Sequence, residues 1–272
     1  MHAGGHHSGF SIICAYNDAA KLERLLLKST AAQRNAPFEL ILLDNRHNQY
    51  PAAAPAFNAA AQRARYDHLL FVHQDVSLTD SLWLATVNSS LATLPHLGAA
   101  GVAGRDEHGI MANVTHGTPP RRVGVPISEP RPVQTLDGCL LIVPTAVFAS
   151  RGFDETTALG WYLYVMDYCL DQLRAGLRNY VLPQAVYHES TGPEDASRYA
   201  DTLARILRKN RGHIDTIYGT MGIWTTSQTE KDLSDAQTRA LETEADLNNW
   251  KTRALETEAE AAAPCRPRNA TE

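Results

Sequence analysis

The sequence predicts an α/β fold with a mostly parallel central sheet. Short apolar runs alternate with stretches of helical periodicity through the first half of the chain. Several of these runs contain β-branched residues, which favour buried strands. Strand–helix alternation of this kind is typical of parallel strands joined by right-handed helical crossovers. The pattern also indicates where a ligand would bind, because the carboxyl ends of parallel strands meet at one edge of the sheet.

The elements of the first half follow one another in the order that such a fold requires. The first strand covers residues 10–15, after which Asn17 and Asp18 break the apolar run and offer a cap to a leucine-containing helix. Residues 52–65 are rich in alanine, with prolines near the start, which predicts a helix. The other predicted elements are strands at 38–43, 68–72 and 98–102 and a helix at 81–94.

The second half of the chain is less regular. Residues 115–132 contain five prolines, and a loop of this length in a compact domain is typically functional or disordered. The arginines of this loop are either diphosphate ligands or solvated charges: Arg121, Arg122 and Arg131. Beyond the loop, the pattern predicts strands at 139–143, 180–182 and 186–188, and helices at 162–175 and 195–210.

Composition narrows the class of protein. With 44% hydrophobic and 20% charged residues, the chain can bury a globular core. Its formal net charge of -5 argues against nucleic acid as the main partner, because phosphate neutralisation needs a basic face. No apolar run reaches the ~20 residues that span a bilayer, and the first apolar stretch is too short for a secretory signal. We therefore expect a cytoplasmic protein whose four cysteines are reduced, with the first three buried.

The C-terminal part of the chain has a different character. The sequence TRALETEA occurs at 238–245 and again at 252–259, two heptads apart. The seam that this repeat creates holds few large apolar residues, so it predicts either a solvated helix or a coiled coil that joins copies into a homo-oligomer. The predicted organisation is a flexible N-terminus at 1–9, an α/β domain at 10–222, a helical tail at 223–262 and a disordered end at 263–272.

Polar side chains follow the predicted strands at the edge where a ligand would bind. The residues are Tyr16, Asn17, Asp44, His73 and Asp75. A carboxylate at this edge can hold a hard divalent cation, which neutralises a diphosphate leaving group as its bond breaks. From spacing alone, simpler interpretations are equally open: Asp75 caps the following turn, and His73 is a hydrogen-bonded residue at a strand end.

Four motifs, taken in order, resemble those of family 2 glycosyltransferases. They are FSIICAYN at 10–17, ELILLDN at 39–45, the run LLFVHQDV that closes the block beginning at Asn58, and GFDE at 152–155 followed by DYCL at 167–170. Each motif is weak alone, but their order and spacing over residues 10–190 are specific. The His-Gln-Asp form is similar to a subgroup that includes a protein of streptomycin biosynthesis.

The resemblance implies a GT-A fold and inverting transfer of a hexose-type sugar. The donor would be a UDP-, dTDP- or GDP-sugar, and the acceptor an unidentified glycan, glycoside or protein. A divalent cation, manganese or magnesium, would be held by Asp75 and by His188, which follows a late strand. Tyr16 and Asp44 would contact the base and ribose of the donor. The rest of the donor site would comprise Ala15, Asn17, His73 and Gln74.

Inversion needs a general base that takes the acceptor proton. The family places a carboxylate near a helix start, commonly within Glu-Asp-x-Asp, where this chain has YVMD at 164–167. Asp167 is the carboxylate in register, so the resemblance assigns the base to it; the alternative is an exposed or capping aspartate. Asp137, which precedes a glycine turn, is a second candidate that can orient the acceptor. His188 also has a simpler interpretation, a surface loop histidine.

Two other functions remain open from the sequence. A nucleotidyltransferase would share the crevice and the cation, but it needs a glycine-rich phosphate loop with a basic residue, and residues 15–18 are AYND. A non-catalytic module that binds nucleotide sugars, or docks partners through the tail, would explain the missing carboxylates at His73 and Val165. Loss of donor hydrolysis in Asp167→Asn would separate an enzyme from a binding module.

Overall fold

A seven-stranded sheet forms the centre of the protein. The computed structural model describes residues 7–117, 119–189 and 196–227. The helices are α1 (Ala19–Leu22) and α2 (Lys28–Ala31) with a π-helical turn (Glu23–Leu27) between them, α3 (Ala53–Ala61), α4 (Trp83–Leu91), α5 (Thr145–Ser150), α6 (Tyr164–Arg174) and α7 (Ala196–Asn210). Among the described residues, no helix has both the length and the apolarity needed to cross a bilayer.

Sixteen strands in the described residues form four sheets. They are β1 (His7–Tyr16), β2 (Phe38–Asp44), β3 (Tyr66–Val72), β4 (Val76–Leu78), β5 (Leu97–Gly101), β6 (Ala103–Asp106), β7 (Gly109–Ala112), β8 (Val114–His116), β9 (Arg121–Val123), β10 (Arg131–Val133), β11 (Thr135–Leu136), β12 (Leu140–Pro144), β13 (Arg178–Val181), β14 (Val186–His188), β15 (Thr216–Gly219) and β16 (Gly222–Thr225).

The central sheet is mostly parallel, as the strand–helix alternation predicts. Its strand order is β10-β13-β5-β12-β3-β1-β2. β1 pairs in parallel with β2 and β3, and β13 pairs in parallel with β5. β12 runs against β3 and β5, and β10 runs against β13, so five strands share one direction and two oppose it. The predicted α/β class is confirmed.

Side chains of β1 and β3 enter two hydrophobic cores, one on each face of the sheet. Ile12 and Leu70 enter the core that α1, the π-helical turn and α4 cover. Ile13 and Phe71 enter the opposite core, which α3, α5 and α6 cover. Because these strands are buried on both faces, their sequences are continuous apolar runs rather than alternating ones. The predicted burial of the first three cysteines is also confirmed: Cys14, Cys139 and Cys169.

The described strands extend beyond both predicted ends of the α/β domain. β1 begins at His7, which pairs with Tyr66 of β3, so the sheet includes part of the segment predicted to be flexible. At the other end, β15 and β16 form a hairpin where a helical tail is predicted to begin at residue 223. Gln134 and Thr135 donate hydrogen bonds to carbonyls of β15 and so attach the hairpin to the domain. The predicted coiled coil at 238–259 and the predicted disordered end lie outside the described residues.

The proline-rich stretch at 115–132, predicted as one long loop, contains strands. β8 and β9 join β4 and β14 in a sheet of order β4-β14-β8-β9, and β10 lies at one edge of the central sheet. β8, β9 and β10 have three residues each, too few to show a hydrophobic period, so the sequence pattern misses them. Arg121 and Arg122 of β9 are exposed, and Arg131 pairs with Glu129 at 2.8 Å.

A cluster of charged side chains fastens α7 to α6. The Lys209 ammonium donates hydrogen bonds to Asp154 at 3.0 Å, to both oxygens of Asp167 at 2.9 and 2.8 Å, and to Asp171 at 2.9 Å. Arg174 also pairs with Asp171. Burial raises the pKa of Asp167 to about 6, although the nearby ammonium opposes the rise. Because three carboxylates meet two cations here, the cluster depends on Lys209.

We expect Lys209→Met to destabilise the protein by about 3–5 kcal/mol, because it leaves three poorly solvated carboxylates without their shared cation. Chemical denaturation at pH 7 measures the loss as a lower midpoint. Lys28→Met is the matched control: Lys28 is exposed on α2, so its replacement should change the free energy of unfolding by no more than about 0.5 kcal/mol. Equal midpoints for the two variants would contradict the assignment.

Candidate functional site

Most residues predicted for the site line one cleft at the carboxyl edge of the central sheet. The cleft has a volume of about 940 Å³, which is within the range of small-molecule sites. Eight predicted residues line it: Ala15, Tyr16, Asn17, His73, Gln74, Asp75, Asp137 and His188. Asp44 and Asp167 are not among the lining residues. Asp44 lies next to the cleft, since it pairs in register with Tyr16 and precedes the lining residue Asn45.

Gln74 joins the ends of β1 and β3. Its Oε1 accepts hydrogen bonds from the backbone N–H groups of Asn17 and Asp18, both at 2.9 Å. Its Nε2 donates to Asn17 Oδ1 at 2.6 Å. Asp18 caps α1 by accepting from the Lys21 amide, as predicted for this break. The middle residue of His-Gln-Asp therefore holds the two strand ends together.

Tyr16 lines the outer end of the cleft, and Asp44 and Arg46 lie beside it. The Arg46 guanidinium donates to both carboxylate oxygens of Asp44, and its carbon lies 5.8 Å from the centroid of the Tyr16 ring. The hydrogen bonds from Arg46 hold the pKa of Asp44 well below its usual range. Arg46 was not predicted. Its position two residues after Asp44 allows its side chain to fold back and bind the carboxylate at the end of β2.

His73, Asp75 and His188 form a cluster suited to a metal ion. One ligand atom from each lies within 4.8 Å of the others. His188 Nε2 is 3.3 Å from Asp75 Oδ1, and His73 Nδ1 is 4.0 Å from the same oxygen. Backbone pairing produces this geometry: β4 begins directly after Asp75, and its first residue, Val76, is the partner of His188 in β14. The Glu189 amide also donates to the Asp75 carbonyl at 3.1 Å.

The residues of this cluster fit a divalent cation. His188 Nε2 is buried and makes no hydrogen bond, even though the Asp75 carboxylate is near. A buried polar atom without a partner costs free energy, and a bound cation would remove that cost. Desolvation within the cleft and the neighbouring His188 lower the pKa of His73, which favours the neutral imidazole that binds metals. Burial tends to raise the pKa of Asp75, but the two histidines outweigh it and keep the carboxyl ionised.

Asp137 places a second carboxylate in the cleft. Its Oδ1 accepts from the Cys139 amide at 2.9 Å, and its Oδ2 accepts from the Thr220 hydroxyl at 2.8 Å. Burial tends to raise the pKa of Asp137, but these hydrogen bonds outweigh it and lower the pKa. The side chain is therefore ionised at neutral pH and fixed in orientation. Each oxygen keeps a lone pair that can accept a further hydrogen bond.

The structure does not bring Asp167 to the cleft, in contrast to the role implied by the resemblance. Its side chain is 1% exposed, and both of its oxygens accept from Lys209. Met166 and Tyr164, on the same helix, line the cleft instead. Successive helical residues point about 100° apart, so a carboxylate next in sequence to a lining residue faces a different neighbour. The alternative of an exposed aspartate is wrong, because Asp167 is buried.

The far wall of the cleft was not predicted. Two residues with left-handed backbone, Gly160 (φ 80°) and Leu163 (φ 60°), flank Trp161 and Tyr162, which line the cleft. This conformation is uncommon for leucine and indicates a strained segment at the site. Further lining residues come from distant parts of the chain: His116, Tyr199, Thr220 and Met221. Thr220 lies in the turn between β15 and β16, where glycines between β-branched and aromatic residues (IYGTMGIW, 217–224) are a hairpin signal that could have identified it.

Comparisons with known proteins identify the fold. No protein-family profile and no curated protein sequence matches the chain. Among solved structures, GalNAc-T7 with UDP, GalNAc and Mn²⁺ aligns with a TM-score of 0.53 and 11% identity over 73% of this chain and 48% of that one. S. aureus TarS aligns with a TM-score of 0.51 and 16% identity over 76% of this chain and 40% of TarS. The mannosyltransferase PcManGT from Pyrobaculum calidifontis, in complex with GDP-Man and Mn²⁺, aligns with a TM-score of 0.52 and 15% identity. This alignment covers 96% of the present chain and 77% of PcManGT.

These similarities establish a GT-A type α/β fold, as the resemblance implies. The chain spans about half of GalNAc-T7 (48%) and 40% of TarS. At identities of 11–16% the similarity shows the fold alone. Chemistry must therefore be argued from the residues of the cleft.

We expect Gln74→Ala to loosen the end of β1, because the substitution removes the acceptor of two backbone N–H groups. At ~1 kcal/mol for each hydrogen bond, exchange of the Asn17 and Asp18 amides should accelerate at least about tenfold. Hydrogen–deuterium exchange measured by NMR gives the rates. The control is Gln62→Ala, since Gln62 is exposed at the end of α3. Unchanged exchange at Asn17 and Asp18 would show that Gln74 does not hold the two strand ends together.

Proposed function

We propose that the protein is a glycosyltransferase that uses a nucleoside diphosphate sugar and a divalent cation. The observation that carries this proposal is the cluster of His73, Asp75 and His188 in a cleft built from strand ends of a GT-A fold. Three of the similar structures contain UDP, UDP-GlcNAc or GDP-Man. The donor class that we propose is accordingly a UDP-, dTDP- or GDP-sugar.

The donor would lie along the cleft with its diphosphate against the cluster. When bound there, a manganese or magnesium ion supplies positive charge that stabilises the departing diphosphate. His73, Asp75 and His188 would hold that ion. At the outer end, Tyr16 and the Asp44 carboxylate, oriented by Arg46, would contact the base and ribose. The base would stack against the Tyr16 ring, and Asp44 would accept hydrogen bonds from the ribose hydroxyls. These contacts would fix the nucleotide so that the sugar points toward the inner part of the cleft.

We assign the general base of an inverting transfer to Asp137 rather than to Asp167. Asp137 lines the cleft as an ionised, oriented carboxylate, whereas both oxygens of Asp167 are bound by Lys209. In the proposed step, Asp137 takes the proton of an acceptor hydroxyl as its oxygen bonds to the anomeric carbon. The bond from that carbon to the diphosphate oxygen breaks on the opposite face, and the nucleoside diphosphate leaves with the electron pair.

Calorimetric titration with UDP, dTDP and GDP, with and without Mn²⁺, tests the donor site. We expect one nucleotide to bind and its binding to require Mn²⁺. The same nucleotide should bind Asp75→Asn at least about tenfold more weakly, because the loss even of a group that supports a metal ligand weakens metal binding by about 10–100-fold. Asp67→Asn is the matched control, since Asp67 lies near the opposite end of β3. Absence of binding by every nucleotide under both conditions would remove the basis of the proposed function.

The paired variants Asp137→Asn and Asp167→Asn test the assignment of the base. Release of nucleoside diphosphate from the donor, with water as acceptor, should fall by about 10²–10⁴-fold in Asp137→Asn, the usual contribution of a general base. Asp167→Asn should retain most of the activity, because Asp167 does not reach the cleft. Nucleotide binding and thermal unfolding of both variants show whether each site is intact.

The opposite ranking of the two variants would return the base to Asp167. Undetectable turnover in the wild-type chain, together with tight metal-dependent nucleotide binding, would favour the non-catalytic module that binds nucleotide sugars.

A further inference from the structure

A third histidine, His116, stands beside the proposed cation ligands. It ends β8, which pairs in parallel with β14, and it is the register partner of His188. Partners in register on neighbouring parallel strands point to the same face of a sheet, so both imidazoles face the same side. The Gly117 amide donates to the His188 carbonyl at 3.1 Å and extends the pairing past the two histidines. Both residues line the cleft.

The His188 ring packs against the rings of both other histidines. The centroid of His188 lies 5.3 Å from that of His116, with the rings nearly perpendicular at 81°, and 5.5 Å from that of His73. His116 is outside the group of three whose ligand atoms lie within 4.8 Å of one another. Its ring is nevertheless close enough that a change of side-chain rotamer would direct a nitrogen to an ion bound by His188.

We propose that His116 is a further ligand of the cation, and that the site therefore selects a transition-metal ion over Mg²⁺. This inference rests on the cation site of the proposed function and names the class of ion that it takes. Three imidazoles and one carboxylate form a nitrogen-rich ligand set. Imidazole nitrogen suits Mn²⁺, Co²⁺ and Zn²⁺ better than Mg²⁺, which demands octahedral oxygen ligands and gives up its water reluctantly.

The test is titration of the full-length chain with Co²⁺, monitored by visible absorbance in the absence of any nucleotide. The chain has 11 histidines, so Asp75→Asn is titrated in parallel and its signal subtracted. We expect His116→Asn to raise the dissociation constant at least about tenfold. The matched control is His108→Asn, because the His108 side chain is 76% exposed and should leave the constant unchanged. Competition with Mn²⁺, Zn²⁺ and Mg²⁺ then measures selectivity.

A second variant gives a positive signal in place of a loss. In His116→Cys, a thiolate at position 116 that binds Co²⁺ would produce a near-ultraviolet sulfur-to-cobalt charge-transfer band that the wild-type chain lacks. This readout keeps the proposal testable if His116→Asn does not fold. The native cysteines nearest the site do not interfere, since the wild-type spectrum is the reference.

The outcomes separate this inference from the proposed function. Weakened Co²⁺ binding in His116→Asn, a charge-transfer band in His116→Cys and failure of millimolar Mg²⁺ to compete would support it. Wild-type affinity in His116→Asn together with no band in His116→Cys would overturn the ligand assignment, and equal competition by Mg²⁺ would overturn the selectivity. Because no nucleotide is present, tight Co²⁺ binding by a chain that binds no nucleotide would refute the proposed function alone.

Discussion

The parallel pairing of β1 with β2 and β3 is the constraint on which the site depends. In this register Tyr16 of β1 lies opposite Asp44 of β2. On the other side of β1, Ile13 lies opposite Phe71, and Phe71 precedes His73 by two residues. The three strands therefore end at one edge of the sheet, and their first polar residues meet there. Burial of both faces of β1 and β3 fixes the register, because a shift by one residue would exchange the side chains that the two cores receive. The energetics of the core thus determine the geometry of the cleft.

The small sheet β4-β14-β8-β9 extends this constraint to the proposed cation ligands. Asp75 and His188 are far apart in sequence, but they are brought together because Val76 pairs with His188 and the Glu189 amide donates to the Asp75 carbonyl. The ligands are therefore positioned by backbone hydrogen bonds rather than by flexible loops. A site of this kind is preorganised before any ion binds, which reduces the entropy lost on binding. The buried His188 Nε2 makes no hydrogen bond, which costs free energy that a bound cation would offset.

The sequence alone predicts the cleft residues that directly follow long strands, but it does not predict most of those on short strands and turns. Tyr16 and His73 could be predicted because an apolar run ends directly before each of them, and Asp75 follows His73 by two residues at the same edge of the sheet. His116 could not, because β8 has three residues and pairs in a sheet that no periodicity indicates. Thr220 belongs to a hairpin turn in a region predicted to lead into a helical tail, and its position depends on hydrogen bonds from Gln134 and Thr135 to the neighbouring strand.

Asp167 shows how a motif can identify a helix that borders the cleft although its carboxylate lies outside the cleft lining. The match to the helix start is sound, since α6 does border the cleft through Tyr164 and Met166. The carboxylate in register, however, faces α7, where Lys209 binds it together with two other aspartates. Charge balance in that cluster gives Asp167 a structural contact, because removing either partner would leave the other poorly solvated. Asp137 is the carboxylate that we propose as the base, and the hydrogen bonds that it accepts from Cys139 and Thr220 fix its orientation while each oxygen keeps the capacity to accept a proton.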